Sequence, residues 1–143
     1  MVSIEEIDFL LHRLTVLHEV EDLASQGKSE MLPELRKLYR STFRQLRTLI
    51  RQLLKVCPAL GRRGPEPSIE LLERIFSKLR NQAEVESSRA AKFRGRKARR
   101  PKAEAKEINQ MTRLAAKALK RMAKRIGIWG DSYSMEHGLN NWL

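Results

Sequence analysis

Apolar residues recur every three or four positions in four separate segments of the chain, and this rhythm predicts helices. A helix has about 3.6 residues per turn, so residues at this spacing lie on one face. The stripes cover residues 7–24, 35–57, 72–83 and 108–126. No segment shows the strict alternation that is typical of a half-buried strand. The pattern therefore predicts an all-α fold.

Proline and glycine mark where these helices begin and end. Pro33 suits the first turn of the second helix, and Pro58 ends it. Ser68 is the expected N-terminal cap of the third helix, and Gly127 is a typical stop for the fourth. Since the link 28–32 is short, we expect the first two helices to form an antiparallel hairpin.

Four parts follow from this division of the chain. We expect a helical hairpin or bundle core over 1–87, a flexible basic arm over 88–102, a basic amphipathic helix over 103–127 and a tryptophan-containing tail over 128–143. The arm is expected to be flexible because it combines dense positive charge with a glycine and a proline. We expect helix packing between two hairpins to produce a homodimer, since two helices alone leave too much apolar surface in water.

Positive charge is concentrated in the middle of the chain. The net charge is +12 over 143 residues, but the first 30 residues and the last 16 are acidic overall. All of the excess positive charge therefore falls within residues 31–127. A one-sign distribution of this kind favours a polyanionic partner.

The second helix carries a basic face beside its apolar stripe. No acidic residue occurs between Glu34 and Glu66, although a solvated helix normally mixes charges of both signs. We therefore expect phosphates of a nucleic acid to supply the negative charge. The candidate contacts are Arg36, Lys37, Arg40, Arg44, Arg47, Arg51 and Lys55, together with Arg94, Arg96, Lys97, Arg99 and Arg100 from the basic arm.

Other interpretations of the basic segments stay open from the sequence. The basic face of the second helix is also compatible with a solvated surface. The arm has the composition of a nuclear import signal or of a charged linker. The fourth helix resembles a basic membrane-surface or calmodulin-target helix, but its alanine-rich apolar side favours close helix packing or nucleic-acid contact.

The sequence offers no catalytic arrangement. His12, His18 and His137 lack a metal-binding spacing, and Cys57 is the only cysteine. We therefore expect no enzymatic activity, no cofactor or metal and no small-molecule substrate. The single cysteine, the acidic start and the lack of a long apolar run lead us to expect an intracellular protein, cytoplasmic or nuclear, without membrane contact.

Duplex RNA is the favoured ligand. Aromatic residues make up only 6% of the chain, so a platform for stacking single-stranded bases is not expected. The long, proline-rich connector between the second and third helices argues against a helix-turn-helix frame. A-form RNA is recognised largely through its shape, phosphates and 2′-hydroxyls, which extended basic helices can contact without reading sequence.

In shape and charge, residues 3–57 resemble the small helical double-stranded-RNA binders that viruses use against host RNA silencing. This resemblance implies a viral suppressor of RNA silencing, although no motif carries it. One alternative is a DNA-binding accessory protein for genome packaging, mobilisation or segregation. Another is an adaptor that binds a protein partner or a membrane surface.

Overall fold

The computed structural model describes residues 4–25, 32–56 and 69–143. These residues form five α-helices and two short 3-10 helices, and they contain no strand, which confirms the all-α prediction. The α-helices are α1 (Ile4–Ser25), α2 (Leu32–Val56), α3 (Ile69–Ala91), α4 (Arg99–Arg125) and α5 (Asp131–Glu136), and the 3-10 helices are Gly95–Ala98 and Asn140–Trp142. The expected boundary residues Pro58 and Ser68 lie outside the described residues.

The chain divides into two compact units, Met1–Leu49 and Ile50–Leu143. In the first unit, most of the predicted apolar stripes of α1 and α2 is buried, but Leu23 near the end of the α1 stripe is 71% exposed. The buried apolar positions are Ile7, Leu10, Leu11, Leu14 and Leu17 in α1, and Leu35, Tyr39, Phe43 and Leu46 in α2. Burial of these side chains supplies the main favourable free energy for helix formation, because most helical stability in proteins comes from packing of an apolar helix face.

In the second unit, α3 packs against α4. The predicted stripe of α3 is fully buried, and it continues to Ala90. The facing side of α4 is rich in alanine, and small side chains let two helices approach closely. The buried residues of α4 include Ala105, Ile108, Met111, Ala115, Ala116, Ala118, Leu119, Met122 and Ala123.

The predicted apolar stripe of α4 extends one residue beyond the helix and its buried side. Ile126 is 53% exposed, because the helix ends at Arg125 and the backbone turns away at this point. Gly127 has φ +80°, and the amide of Ile128 donates to the carbonyl of Ala123 at 3.0 Å. This is the Schellman arrangement, in which glycine takes a left-handed conformation that other residues rarely adopt. The predicted stop at Gly127 is therefore confirmed.

The basic segment 88–102 is more regular than we expected. Helix α3 extends through Ala91 and α4 begins at Arg99, so only residues 92–94 lie outside helical structure. Ala98 and Pro101 are buried, and this burial holds the connection against the second unit. Pro101 lies in the first turn of α4, where the missing amide hydrogen costs no helical hydrogen bond. The expected flexible arm is thus replaced by two helix ends and a short connection.

The tail folds back onto α3, a result that periodicity did not predict. The Tyr133 hydroxyl donates to Glu73 Oε1 at 2.8 Å, and Arg80 Nη1 donates to the carbonyl of His137 at 2.9 Å. Leu139 is completely buried. Burial, together with the hydrogen bond to Glu73, raises the pKa of the Tyr133 hydroxyl above its ordinary value. The tail is therefore part of the second unit rather than an appendage.

A left-handed glycine fits the tail closely against α3. Gly138 has φ +65°, and a Cβ atom at this position would collide with the Arg80 guanidinium that binds the neighbouring carbonyl. Any other side chain here would have to displace Arg80 and adopt a strained backbone conformation.

A comparison of two leucines in α4 tests the core of the second unit. Leu119 is completely buried, whereas Leu114 is 38% exposed. We expect Leu119→Ala to lower the free energy of unfolding by about 2–5 kcal/mol, because it leaves a cavity. The matched control Leu114→Ala should cost about 1 kcal/mol or less. Chemical denaturation followed by circular dichroism measures both, and equal losses would contradict the packing described here.

Candidate nucleic-acid interface

Five arginines of α2 face solvent along one side of the helix. Arg36, Arg40, Arg44, Arg47 and Arg51 are all exposed, and so is the neighbouring Lys37. At about 100° per residue, the five arginines fall within an arc of about 80° and extend for about 22 Å along the axis. The side chain of Lys55 lies outside the described residues. All predicted basic residues of α2 whose side chains are described are therefore exposed, and the five arginines share one side of the helix.

Contacts between α1 and α2 hold this face outward. The Tyr39 hydroxyl shares a hydrogen bond of 2.6 Å with His18 Nδ1 and donates to Glu21 Oε2 at 3.2 Å. All three residues are buried. Since Tyr39 belongs to the apolar stripe of α2, this network fixes the rotation of the helix about its axis. His18 therefore takes part in the contact between α1 and α2.

The predicted residues of the basic connection do not all play the same part. Arg94, Arg96, Lys97 and Arg99 are exposed. Arg100 is half-buried and its Nε lies 3.2 Å from Glu104 Oε1, so an internal ion pair already engages its charge. The guanidinium of Arg89 lies 5.4 Å from the centre of the Phe93 ring, a distance typical of a cation–π contact. Phe93 is half-buried and is thus partly engaged within the protein.

A second basic face runs along α4, and only Arg99 of its members was among the candidate contacts from the sequence. Its members fall within an arc of about 60° and extend for about 37 Å along the axis. They are exposed and consist of Arg99, Lys102, Lys106, Arg113, Lys117 and Lys124. The sequence carried a signal for this face, because these residues follow helical spacing once α4 is extended back to Arg99.

A groove lies between the end of α3 and the first half of α4. Its volume is about 460 Å³. Three cations of the α4 face lie along it, together with two amide side chains and several small residues. The lining consists of Ser87, Ala90, Ala91, Lys102, Ala105, Lys106, Asn109, Gln110 and Arg113. No acidic side chain of the described residues is part of this lining, so the groove is suited to an anion.

The aromatic residues of the tail are engaged with one another and with α4. Lys120 Nζ lies 5.2 Å from the centre of the Trp129 ring. The ring centres of Tyr133 and His137 are 4.4 Å apart, and Tyr133 is buried. These rings stabilise the second unit.

Comparisons with known proteins yield no match: no protein-family model, no curated protein and no solved structure is significantly similar to this chain. In the part of the chain that the structure describes, no helix combines the length and apolar character needed to cross a membrane.

The two basic faces predict an unusual salt dependence of stability. Like charges on one helix face repel each other, and salt screens this repulsion because the Debye length falls to about 3 Å at 1 M. We expect the melting temperature to rise by a few degrees between low and high sodium chloride. A Lys106→Gln/Lys117→Gln/Lys124→Gln variant should show a smaller rise. Thermal melts followed by circular dichroism measure both, and a melting temperature that falls with salt would contradict this interpretation.

Proposed function

We propose that this protein binds nucleic acid through backbone phosphates, without sequence specificity, and that duplex RNA is its preferred ligand. The exposed arginine face of α2 carries the proposal. Arginine suits the task, because its planar guanidinium meets phosphate oxygens with two hydrogen bonds. After Glu34 the helix has no acidic residue to balance this charge. A ligand that supplies regularly spaced negative charges would neutralise the whole face at once.

The form of the face favours a duplex over a single strand. The exposed arginines of α2 occupy one side of a rigid helix over about 22 Å, which suits phosphates held at fixed positions on a helical duplex. Contacts made only to the backbone carry no sequence information. The preference for RNA over DNA rests on the breadth of the shallow groove of A-form RNA, across which such helices can lie. Binding of this kind is also what the resemblance to viral silencing suppressors implies.

The contacts within the first unit support an antiparallel pairing of α1 and α2. Tyr39, near the start of α2, meets His18 and Glu21, near the end of α1. At the other end, Phe9 and Leu49 line the same groove. We include this hairpin in the proposal because it presents the arginine face on a rigid support.

A second copy of the chain is the proposed partner of an exposed stripe on α1. Phe9, Val16 and Leu23 are 59%, 40% and 71% exposed, at intervals of seven residues. Arg13 and the half-buried Val20 complete a four–three spacing, which is typical of helices that pair in coiled coils. Apolar stripes of this kind pair readily across a two-fold axis. We therefore include a homodimer, which would double the number of basic faces.

Neutralising part of the arginine face tests the proposed function. We expect Arg36→Gln/Arg40→Gln/Arg51→Gln to weaken binding to a duplex RNA by about tenfold or more. The slope of log affinity against log salt should become shallower by about 3, because three phosphate contacts are lost. Mobility-shift titrations across a salt series measure both quantities, and circular dichroism checks that helicity is retained.

The control places the same change in net charge on another side of α2. Gln45→Glu/Thr48→Glu/Gln52→Glu alters three exposed residues outside the arginine face. Equal losses of affinity in the two triple variants would mean that nucleic acid responds only to the net positive charge of the chain and not to the arginine face. Duplex DNA bound as tightly as duplex RNA would favour the DNA-accessory alternative. Binding to anionic vesicles without any nucleic-acid shift would favour the membrane-surface alternative.

A charge on the exposed stripe of α1 tests the homodimer. The wild-type chain, with a mass of 16.6 kDa, should sediment at twice this value. We expect Val16→Glu to shift it to the monomer, because a charge buried between paired helices is costly. The control Thr15→Glu adds the same charge beside the stripe and should leave the dimer intact. Sedimentation equilibrium measures all three, and a monomeric wild type would contradict the dimer.

A further inference from the structure

The groove between α3 and α4 combines a small apolar floor with a positively charged rim. Ala90 of α3 and Ala105 of α4 are each 6% exposed and narrow the space between the helices. Lys102, Lys106 and Arg113 are exposed beside it. Its volume of about 460 Å³ lies in the range of clefts that hold a small molecule or a short piece of a polymer.

The three cations of the rim are aligned along α4. They fall within an arc of about 40° on α4 and extend for about 16 Å along its axis. Within residues 69–143 no acidic side chain forms an ion pair with any of the three. By contrast, Arg100 on the same helix pairs with Glu104. The rim cations are thus available to an external anion with several charges in a line.

Two amides lie between the second and third cations. Asn109 is half-exposed and Gln110 is exposed, and both line the groove. An amide side chain carries both a hydrogen-bond donor and an acceptor, as a ribose 2′-hydroxyl also does. The order of groups along α4 is therefore cation, cation, amide pair, cation.

We infer that this groove binds the ribose–phosphate backbone of one RNA strand. Lys102 and Lys106 contact neighbouring phosphates, and Arg113 contacts a phosphate farther along the same strand. The amides of Asn109 and Gln110 bind 2′-hydroxyls of the riboses between Lys106 and Arg113. The groove is too small for a whole duplex, so one strand of a duplex or a single-stranded end occupies it. This inference rests on the proposed nucleic-acid function and deepens it, because it assigns the preference for RNA over DNA to two side chains.

Removal of the rim charges tests the phosphate contacts. We expect Lys102→Gln/Lys106→Gln/Arg113→Gln to reduce affinity for a duplex RNA probe by about tenfold and to flatten the salt slope by about 2–3. The matched control Arg74→Gln/Arg121→Gln/Arg125→Gln removes the same charge from exposed positions of the second unit outside the groove. It should weaken binding by no more than about threefold, through general electrostatics.

Removal of the amides tests the recognition of ribose. We expect Asn109→Ala/Gln110→Ala to lower the ratio of RNA affinity to DNA affinity by about fivefold to tenfold, since two hydrogen bonds to 2′-hydroxyls are lost. The salt slope should stay unchanged, because no phosphate contact is removed. The control Asn81→Ala alters an exposed amide of α3 outside the groove and should leave the ratio as it is in the wild type.

The outcomes separate this inference from the proposed function. A wild-type protein that shifts neither duplex RNA nor duplex DNA would overturn the proposed function. Wild-type binding with equal losses in the groove and control triple variants would overturn the phosphate assignment alone. An unchanged RNA-to-DNA ratio in the amide variant would overturn the ribose assignment. Should the groove triple variant lose helicity, Lys106→Gln gives the same comparison against Arg121→Gln.

Discussion

Repulsion among like charges is the constraint on which the rest of the structure depends. Helices α2 and α4 each present a row of cations to solvent, and each row raises the free energy of the folded state. The helices persist because their opposite sides bury apolar residues, such as Leu46 on α2 and Leu119 on α4. Burial of apolar surface outweighs the repulsion on each helix.

Most of the fold could be predicted from the spacing of apolar residues. Most described members of the stripes of α1 to α4 are buried as expected, because a long 3–4 rhythm leaves few alternatives to a helix. The exceptions include Leu23 and Ile126, which lie near helix ends and are exposed. The six-residue helix Asp131–Glu136 could not be predicted in this way, since it is too short to show a period. The connection between α3 and α4 was wrongly expected to be flexible. Its charge suggested disorder, but buried Ala98 and Pro101 fix it in place.

Of the candidate site, the arginine face of α2 could be predicted from the sequence, whereas the groove between α3 and α4 could not. The arginines of α2 share a face because of their spacing, and this face could be recognised from the sequence alone. The α3–α4 groove could not, because it exists only where Ala90 and Ala91 meet Ala105 across two helices. Lys102 was assigned to a flexible segment, so its alignment with Lys106 and Arg113 was missed.

The return of the tail to α3 has a consequence for how the protein is made. Glu73 and Arg80 meet partners that lie 60 and 57 residues later in the chain. Synthesis runs from the N-terminus, so α3 leaves the ribosome well before the segment that binds its polar side chains. At about 5–20 residues per second, synthesis of the intervening residues takes several seconds, far longer than the formation of a helix. Until the tail is synthesised, the side of α3 that it covers stays exposed. Chaperones can bind the nascent chain during this interval.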